Sequence, residues 1–147
     1  MSQTAAPEPA WIALGANLGD PPTTIARALR WLAALPDTRL EAVSTLTWTR
    51  AVGPPQPDIL NGVCRVRTSL PPRALLARLQ ALERAAGRVR RERWGPRTLD
   101  LDLIFHGDRR LDTPELVLPH PRWHEREFVC APLAELEGES FVSARRA

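Results

Sequence analysis

The sequence predicts an α+β fold of the ferredoxin-like type: a β-α-β-β-α-β sandwich with an antiparallel sheet, two main helices on one face and functional loops around the other. Two observations predict it. Short runs rich in apolar and β-branched residues alternate, in that order, with two helical apolar patterns. Most of the fifteen prolines fall between these segments. The 147 residues suffice for one domain, which we expect over residues 10–147, behind a disordered tail of residues 1–9.

The first half of the chain is predicted to form a β-α-β unit. The apolar run 11–15 indicates the first strand. Asp20 followed by Pro21 is typical of a helix N-cap with proline at the first helical position. The helical pattern that follows ends near residue 35. The Val- and Thr-rich stretch 40–49 predicts the second strand.

The second half repeats this order with a β-α-β unit of its own. The proline-rich residues 50–58 predict a loop long enough to be functional. Residues 60–68 indicate the third strand, and residues 72–87 indicate a helix that begins with proline and ends at glycine. A fourth strand is predicted over residues 98–105. A short last helix is expected over residues 128–136, and the final ten residues are mostly polar.

Composition limits the classes of protein to which the chain belongs. The net charge is +3, and all twenty basic residues are arginine, so no lysine can act as a nucleophile or phosphate anchor. No apolar run approaches the roughly 20 residues of a membrane span, and the N-terminus lacks the pattern of a secretory signal. Cys64 and Cys130 are too few for a disulfide framework. We therefore expect a cytoplasmic protein without a membrane partner.

The most informative segment is RWGPRTLDLD, residues 93–102. Asp100 and Asp102 alternate with leucines, so on a strand both carboxylates share one face and the leucines enter the core. Cα atoms two residues apart on a strand are roughly 6.5–7 Å apart, which suits two hard cations about 3.5–4 Å from each other. Magnesium prefers such oxygen ligands together with water and phosphate. The pattern predicts a magnesium site, although a solvated strand face or turn has the same pattern.

Arginines are concentrated immediately before this strand. Six of them occur within fourteen residues, and they repel one another unless an anion screens them. They are Arg84, Arg88, Arg90, Arg91, Arg93 and Arg97. Either a polyphosphate or a nucleic acid satisfies this requirement.

A series of further motifs runs through most of the chain in a fixed order. They are residues 12–20 (IALGANLGD), Thr49 with residues 52–54, residues 56–58 with residues 60–61, Glu83, residues 87–90, residues 93–102, and residues 119–121 with Arg126 and Phe128. This series resembles the 6-hydroxymethyl-7,8-dihydropterin pyrophosphokinase family of folate biosynthesis. The resemblance implies an ATP-dependent diphosphotransferase that uses two Mg²⁺ ions, transfers diphosphate to the hydroxymethyl group of the pterin and releases AMP.

The resemblance also implies roles for individual residues. Asp100 and Asp102 are the metal ligands and, with Arg88 and Arg97, the catalytic residues. The residues expected to contact ATP are Glu83, Arg90, Arg93, Trp94, Arg97, His120 and Arg126. The residues expected to contact the pterin are Thr49, Val52, Ile59, Asn61 and Phe128. Several have plainer interpretations: Phe128 as a core residue, His120 as a turn residue, Asn61 as the start of a strand and Trp94 as core packing.

One position departs from the family pattern. Ile59 stands where the family usually has an aromatic residue, so one wall of the ring sandwich is aliphatic, at a cost of about 0.5–1.5 kcal/mol for a lost aromatic pair. This departure leaves open a diverged member that binds ATP or pterin with weak or altered activity.

The basic charge also allows a binding module of another class. A basic ferredoxin-like sheet can bind nucleic acid through exposed aromatic residues on its central strands. That aromatic motif is missing here, and Asp100 and Asp102 would repel a phosphate backbone. We therefore expect small-molecule partners, no nucleic acid and a monomer.

Overall fold

The computed structural model describes residues 6–87 and 98–146. The strands are β1 (Glu8–Ala16), β2 (Thr38–Val43), β3 (Thr47–Thr49), β4 (Ile59–Thr68), β5 (Asp100–His106), β6 (Leu111–Asp112) and β7 (Val117–Leu118). The helices are α1 (Pro21–Ala33), α2 (Pro72–Ala85), α3 (Glu127–Glu137) and α4 (Glu139–Arg146), with a 3-10 turn at Trp123–Glu125. The main sheet has the order β2-β4-β1-β5, and β3 pairs with β4 beyond the end of β2. Its paired strands are antiparallel. With β2 and β3 counted as one interrupted strand, this order confirms the predicted ferredoxin-like fold.

The two main helices begin where the sequence predicts. Asp20 accepts hydrogen bonds from the N–H and the hydroxyl of Thr23, at 3.4 and 2.8 Å, and Pro21 occupies the first turn of α1. Pro72 opens α2, and Gly87 follows its end with a φ of +85°. Both helices bury their apolar stripes against one sheet face, where Ile12 and other alternate residues of β1 are buried.

The predicted second strand is interrupted at residues 44–46. Ser44 leaves the regular ladder but bonds Val63 twice: its N–H donates to the Val63 carbonyl and its hydroxyl accepts from the Val63 N–H, both at 2.9 Å. A Cβ on Gly62 would lie 2.6 Å from a methyl carbon of Leu46. The interruption therefore depends on a glycine in the neighbouring strand, which the local pattern of residues 40–49 does not contain.

The C-terminal region differs most from the prediction. The last ten residues include helix α4, whose Val142 is buried. The Arg145 guanidinium lies 5.4, 4.8 and 4.4 Å from the ring centroids of Trp11, Phe105 and Phe141. Helices therefore cover part of the second sheet face, where we expected only functional loops.

The start of the first strand also requires a correction. β1 includes Glu8 and Pro9, which pair with Thr68 and Arg67 of β4. These two residues belong to the sheet and not to a disordered tail.

Cys64 and Cys130 are both buried and reduced. Complete burial raises the pKa of the Cys64 thiol to about 12. In residues 6–87 and 98–146, no helix combines the length and the hydrophobicity required to cross a bilayer.

Candidate active site

The sheet face opposite α1 and α2 changes from bulky to small along β1. Trp11, Ala13 and Gly15 occupy successive positions on this face, and Gly15 pairs with Asn61 of β4 and Asp100 of β5. A Cβ on Gly15 would lie 3.6 Å from the Asn61 Oδ1 and 3.9 Å from the Asp100 Cβ. Because Gly15 has no side chain, its backbone forms the floor of a cavity of about 550 Å³, which lies between the strand ends and the start of α3.

Nine of the predicted site residues line this cavity. They are Thr49, Val52, Ile59, Asn61, Asp100, Asp102, His120, Arg126 and Phe128. The sheet and the loops thus bring together, from five separate segments, the residues expected at the metal, at ATP and at the pterin.

Asp100 and Asp102 lie on β5 as the alternation predicts. Leu99, Leu101 and Leu103 are at most 3% exposed in the core on the helix side, while both aspartates line the cavity. Among the described residues, no group of three or more His, Cys, Asp or Glu side chains forms a metal cage. Two carboxylates on one strand face, with open volume in front of them, fit magnesium, which keeps water and phosphate oxygens as its other ligands.

Asn61 is held with one end of its amide directed to the cavity. Its Nδ2 donates to the Thr49 hydroxyl at 2.6 Å and to the Ile59 carbonyl at 3.2 Å. Its Oδ1 lies above Gly15. Although Asn61 is only 6% exposed, this orientation gives the cavity a fixed hydrogen-bond acceptor.

Two residues at the start of α3 form the opposite wall. Phe128 is 42% exposed and lines the cavity, which excludes its interpretation as a core residue. The Arg126 guanidinium lies 5.8 Å from the Phe128 ring centroid, and one of its nitrogens is 3.8 Å from the Asp102 carboxylate. Arg126 therefore lies between the exposed ring of Phe128 and the acidic pair.

His120 enters the cavity as a neutral donor. Its Nδ1 accepts the N–H of Arg122 at 3.2 Å, so the ring proton resides on Nε2. Burial, and then the charges of Arg126 and Arg122, lower its pKa to about 4. At neutral pH the imidazole can donate a hydrogen bond without carrying a charge.

The cavity also contains residues that sequence reasoning did not assign to the site. Asn17 donates to the Gln56 side-chain oxygen at 2.8 Å and to the Pro57 carbonyl at 3.1 Å, which joins the loop after β1 to the proline loop. Asn17 and Gln56 both occur in the motif series that resembles the pyrophosphokinase family, and this series was the sequence signal for their place in the site. Arg50 and Arg122 also line the cavity, and no sequence pattern distinguishes them from other surface arginines.

The remaining predictions fall elsewhere. Arg88, Arg90, Arg93, Trp94 and Arg97 lie outside the described residues. Glu83 is buried on α2, where its carboxylate accepts the Leu101 N–H at 2.9 Å. It is not among the residues that line the cavity.

A ferredoxin-like sheet with a carboxylate pair and an exposed aromatic ring in one cavity is typical of an enzyme that acts on small molecules. The chain belongs to the 7,8-dihydro-6-hydroxymethylpterin-pyrophosphokinase (HPPK) family, whose model matches residues 11–138. This membership confirms the resemblance found in the sequence.

Several relatives share this similarity over most of the chain, each bearing the name 2-amino-4-hydroxy-6-hydroxymethyldihydropteridine pyrophosphokinase. The protein of Synechocystis sp. is 47% identical over 125 residues, which are 85% of this chain and 64% of that protein. The protein of Pseudomonas aeruginosa is 49% identical over 86% of this chain and 78% of its own length. The protein of Haemophilus influenzae is 41% identical over 88% and 82%. The chain thus spans less than two thirds of the first of these relatives.

Proposed function

We propose that this chain transfers diphosphate from ATP to the hydroxymethyl group of 6-hydroxymethyl-7,8-dihydropterin, giving AMP and the pterin diphosphate in folate biosynthesis. Family membership supports the reaction. The observation that carries it is that the Asp100 and Asp102 pair and the pocket at Asn61 and Phe128 share one cavity. Transfer between two bound molecules requires both to be held side by side.

The pocket at Asn61 suits a pterin. A pterin is flat and carries donors and acceptors along its edge, so it needs a hydrophobic wall and amide-type partners. Asn61 offers its Oδ1 as an acceptor, because its Nδ2 is already bonded to Thr49. Phe128 offers its exposed ring, and Ile59 and Val52 add aliphatic surface to the same cavity.

The acidic pair suits a magnesium-bound nucleotide. Bound Mg²⁺, in the proposed number of two ions, would screen the phosphate charges and lower the barrier to attack. Asp100 and Asp102 would hold these ions, and His120 would donate its Nε2 proton to a phosphate oxygen. Arg126 would add positive charge next to Asp102. Glu83 and the arginines of residues 88–97, with Trp94, are proposed ATP-site residues on sequence grounds alone.

The reaction requires no protein nucleophile. In the proposed step the hydroxymethyl oxygen attacks the β-phosphorus, the bond from that phosphorus to the α-phosphate oxygen breaks, AMP leaves and the hydroxyl proton passes to water. Such transfers depend mainly on positioning and on charge stabilisation. The cavity supplies these two functions.

A second candidate is a diverged member that binds ATP or pterin but transfers diphosphate weakly. Ile59 favours it, because an aliphatic wall gives up part of the stacking energy. We also propose that the chain acts as a monomer. The cytoplasmic location stays a prediction.

An assay of AMP release by chromatography tests both candidates. AMP should form only when ATP, Mg²⁺ and the dihydropterin are all present. Equal AMP without the pterin would indicate simple ATP hydrolysis and contradict the proposal. Pterin and nucleotide binding by calorimetry without AMP release would establish the diverged member instead.

A further inference from the structure

The carboxylate of Glu83 contacts the backbone of the residue that separates the two aspartates. Its Oε2 accepts the Leu101 N–H at 2.9 Å, and its side chain is 5% exposed. Alternate residues of a strand present their N–H groups to opposite edges. β1 occupies one edge of β5. The Leu101 N–H is directed to the other edge, where it donates to Glu83.

Glu83 also bridges two elements that are separated along the chain by the arginine-rich segment. It lies in the last turns of α2, and Leu101 lies at the second position of β5. One buried hydrogen bond therefore joins the helix before residues 88–97 to the strand after them. A hydrogen bond to a charged acceptor is stronger than one between neutral groups, so this contact fixes the path of the chain where β5 begins.

We propose that Glu83, in addition to its proposed place in the ATP site, is a positioning residue that holds the Asp100 and Asp102 carboxylates in their metal-binding arrangement. This inference rests on the proposed function, because it gives the acidic pair its metal role. Leu101 is the only residue between the two aspartates, so a shift of its backbone moves both carboxylates. Glu83 is not among the described residues that line the cavity, which supports an action through the backbone of β5.

Three substitutions separate the hydrogen bond from the charge and from the fold. Glu83→Gln keeps an acceptor oxygen of the same reach without the charge. Glu83→Met keeps the length without an effective acceptor, and Glu83→Asp withdraws the carboxylate by one methylene, which provides a milder variant. Leu79→Ala, which removes a fully buried side chain from the same helix, controls for loss of stability.

Two measurements do not require turnover. Amide exchange at Leu101 in the metal-free protein, followed by NMR, reports the hydrogen bond. Calorimetry with Mn²⁺ and a nonhydrolysable ATP analogue reports the metal site. In Glu83→Met we expect exchange at Leu101 to rise at least about tenfold and affinity for the metal-bound analogue to fall at least about tenfold, the loss typical of a charge-assisted hydrogen bond. Glu83→Asp should lie between Glu83→Met and the native protein.

The controls and kinetics decide between the alternatives. Glu83→Gln should bind the metal-bound analogue within about threefold of the native protein, since a neutral hydrogen bond retains much of the contact, and Leu79→Ala should leave this affinity unchanged. In Glu83→Met, kcat should fall while KM for the pterin stays constant. Native affinity for the metal-bound analogue in both Glu83→Met and Glu83→Asp would overturn the inference, as would an equal loss of affinity for the metal-free analogue. If the native protein releases no AMP, the proposed function fails, but the exchange and binding results still decide the role of Glu83.

Discussion

The two ends of the sheet face opposite α1 and α2 differ in packing, because one end is filled with side chains and the other is open. At the closed end, the ring centroids of Trp11, Phe105 and Phe141 lie 5.1–6.2 Å apart. The Arg145 guanidinium of α4 lies over all three rings. At the open end, Gly15 and Asn61 form the floor of a cavity. The two ends share strands β1 and β5, and Trp11 is four residues from Gly15. The decrease in side-chain size along β1 therefore accompanies the change from a packed core to an open cavity.

The closed end also determines what lies above the open end. The Glu137 carboxylate, at the end of α3, accepts the Trp11 indole N–H at 3.1 Å and pairs with Arg65. Glu135, on the same helix, accepts the Thr45 N–H at 2.7 Å. Because the helix is anchored there, Arg126 and Phe128 at its start are held over the open end. The packing of the closed end thus positions the wall of the cavity at the open end.

The largest effect is expected from the acidic pair of the open end. Asp100→Ala and Asp102→Ala should each lower AMP release at least about 1,000-fold, since metal ligation supplies several kcal/mol of transition-state stabilisation. Circular dichroism and the melting temperature should stay close to the native values. Asp108→Ala is the control at the closed end, because it removes a 97% exposed carboxylate next to Arg145. Near-normal turnover in either variant of the pair would contradict the metal assignment.

The decrease in size along β1 can be reversed at Gly15. Gly15→Ala places its Cβ in ordinary van der Waals contact with its neighbours. Because this substitution adds no clash, KM for the pterin should change less than about threefold. Gly15→Leu fills the floor of the cavity and should raise this KM at least about thirtyfold, through the steric cost of overpacking. Steady-state kinetics on the two variants provides the comparison. Equal KM values would show that the ring binds elsewhere.

The aliphatic wall of the cavity can be made aromatic at Ile59. Ile59→Phe should tighten pterin binding by about 0.5–1.5 kcal/mol, or roughly two- to tenfold, because a second ring can stack on the substrate. Ile59→Val, which also lacks a ring, is the matched control. Calorimetry with the pterin and a nonhydrolysable ATP analogue measures the change. Weaker binding in the Phe variant would place the ring away from Ile59.

The smallest effect concerns pH and His120. Its folded pKa of about 4 lies below the ordinary histidine value of 6.5, so the unfolded chain takes up a proton that the folded chain does not. The stability due to neutral His120 is fully present above about pH 6.5 and is lost as the pH falls toward 4. Between pH 7 and pH 5, His120→Gln should lose less unfolding free energy than the native protein, by on the order of 1 kcal/mol. Parallel losses in urea titrations would contradict the burial of a neutral imidazole.

Features fixed by neighbouring residues could be predicted from the sequence. The alternation of aspartate and leucine on β5 and the cap at Asp20 depend on residues close in the chain, and the structure confirms both. The same alternation predicted that both carboxylates share one face of β5, and both line the cavity.

Features fixed by distant contacts could not be predicted. Helix α4 is polar by its own pattern, and Arg145 binds rings that are more than 130 residues away or in another element. The interruption before β3 depends on Gly62. The bond between Asn17 and Gln56 joins two loops that each contain the signals of an ordinary turn.

The proposed function requires one cavity to hold a metal-bound nucleotide and a flat ring side by side. A crystal structure with Mn²⁺, a nonhydrolysable ATP analogue and the pterin tests it directly, because the anomalous signal locates the ions. We expect manganese peaks coordinated by the carboxylates of Asp100 and Asp102, with the ring between Ile59 and Phe128. Manganese bound away from both carboxylates, or a ring outside this cavity, would contradict it.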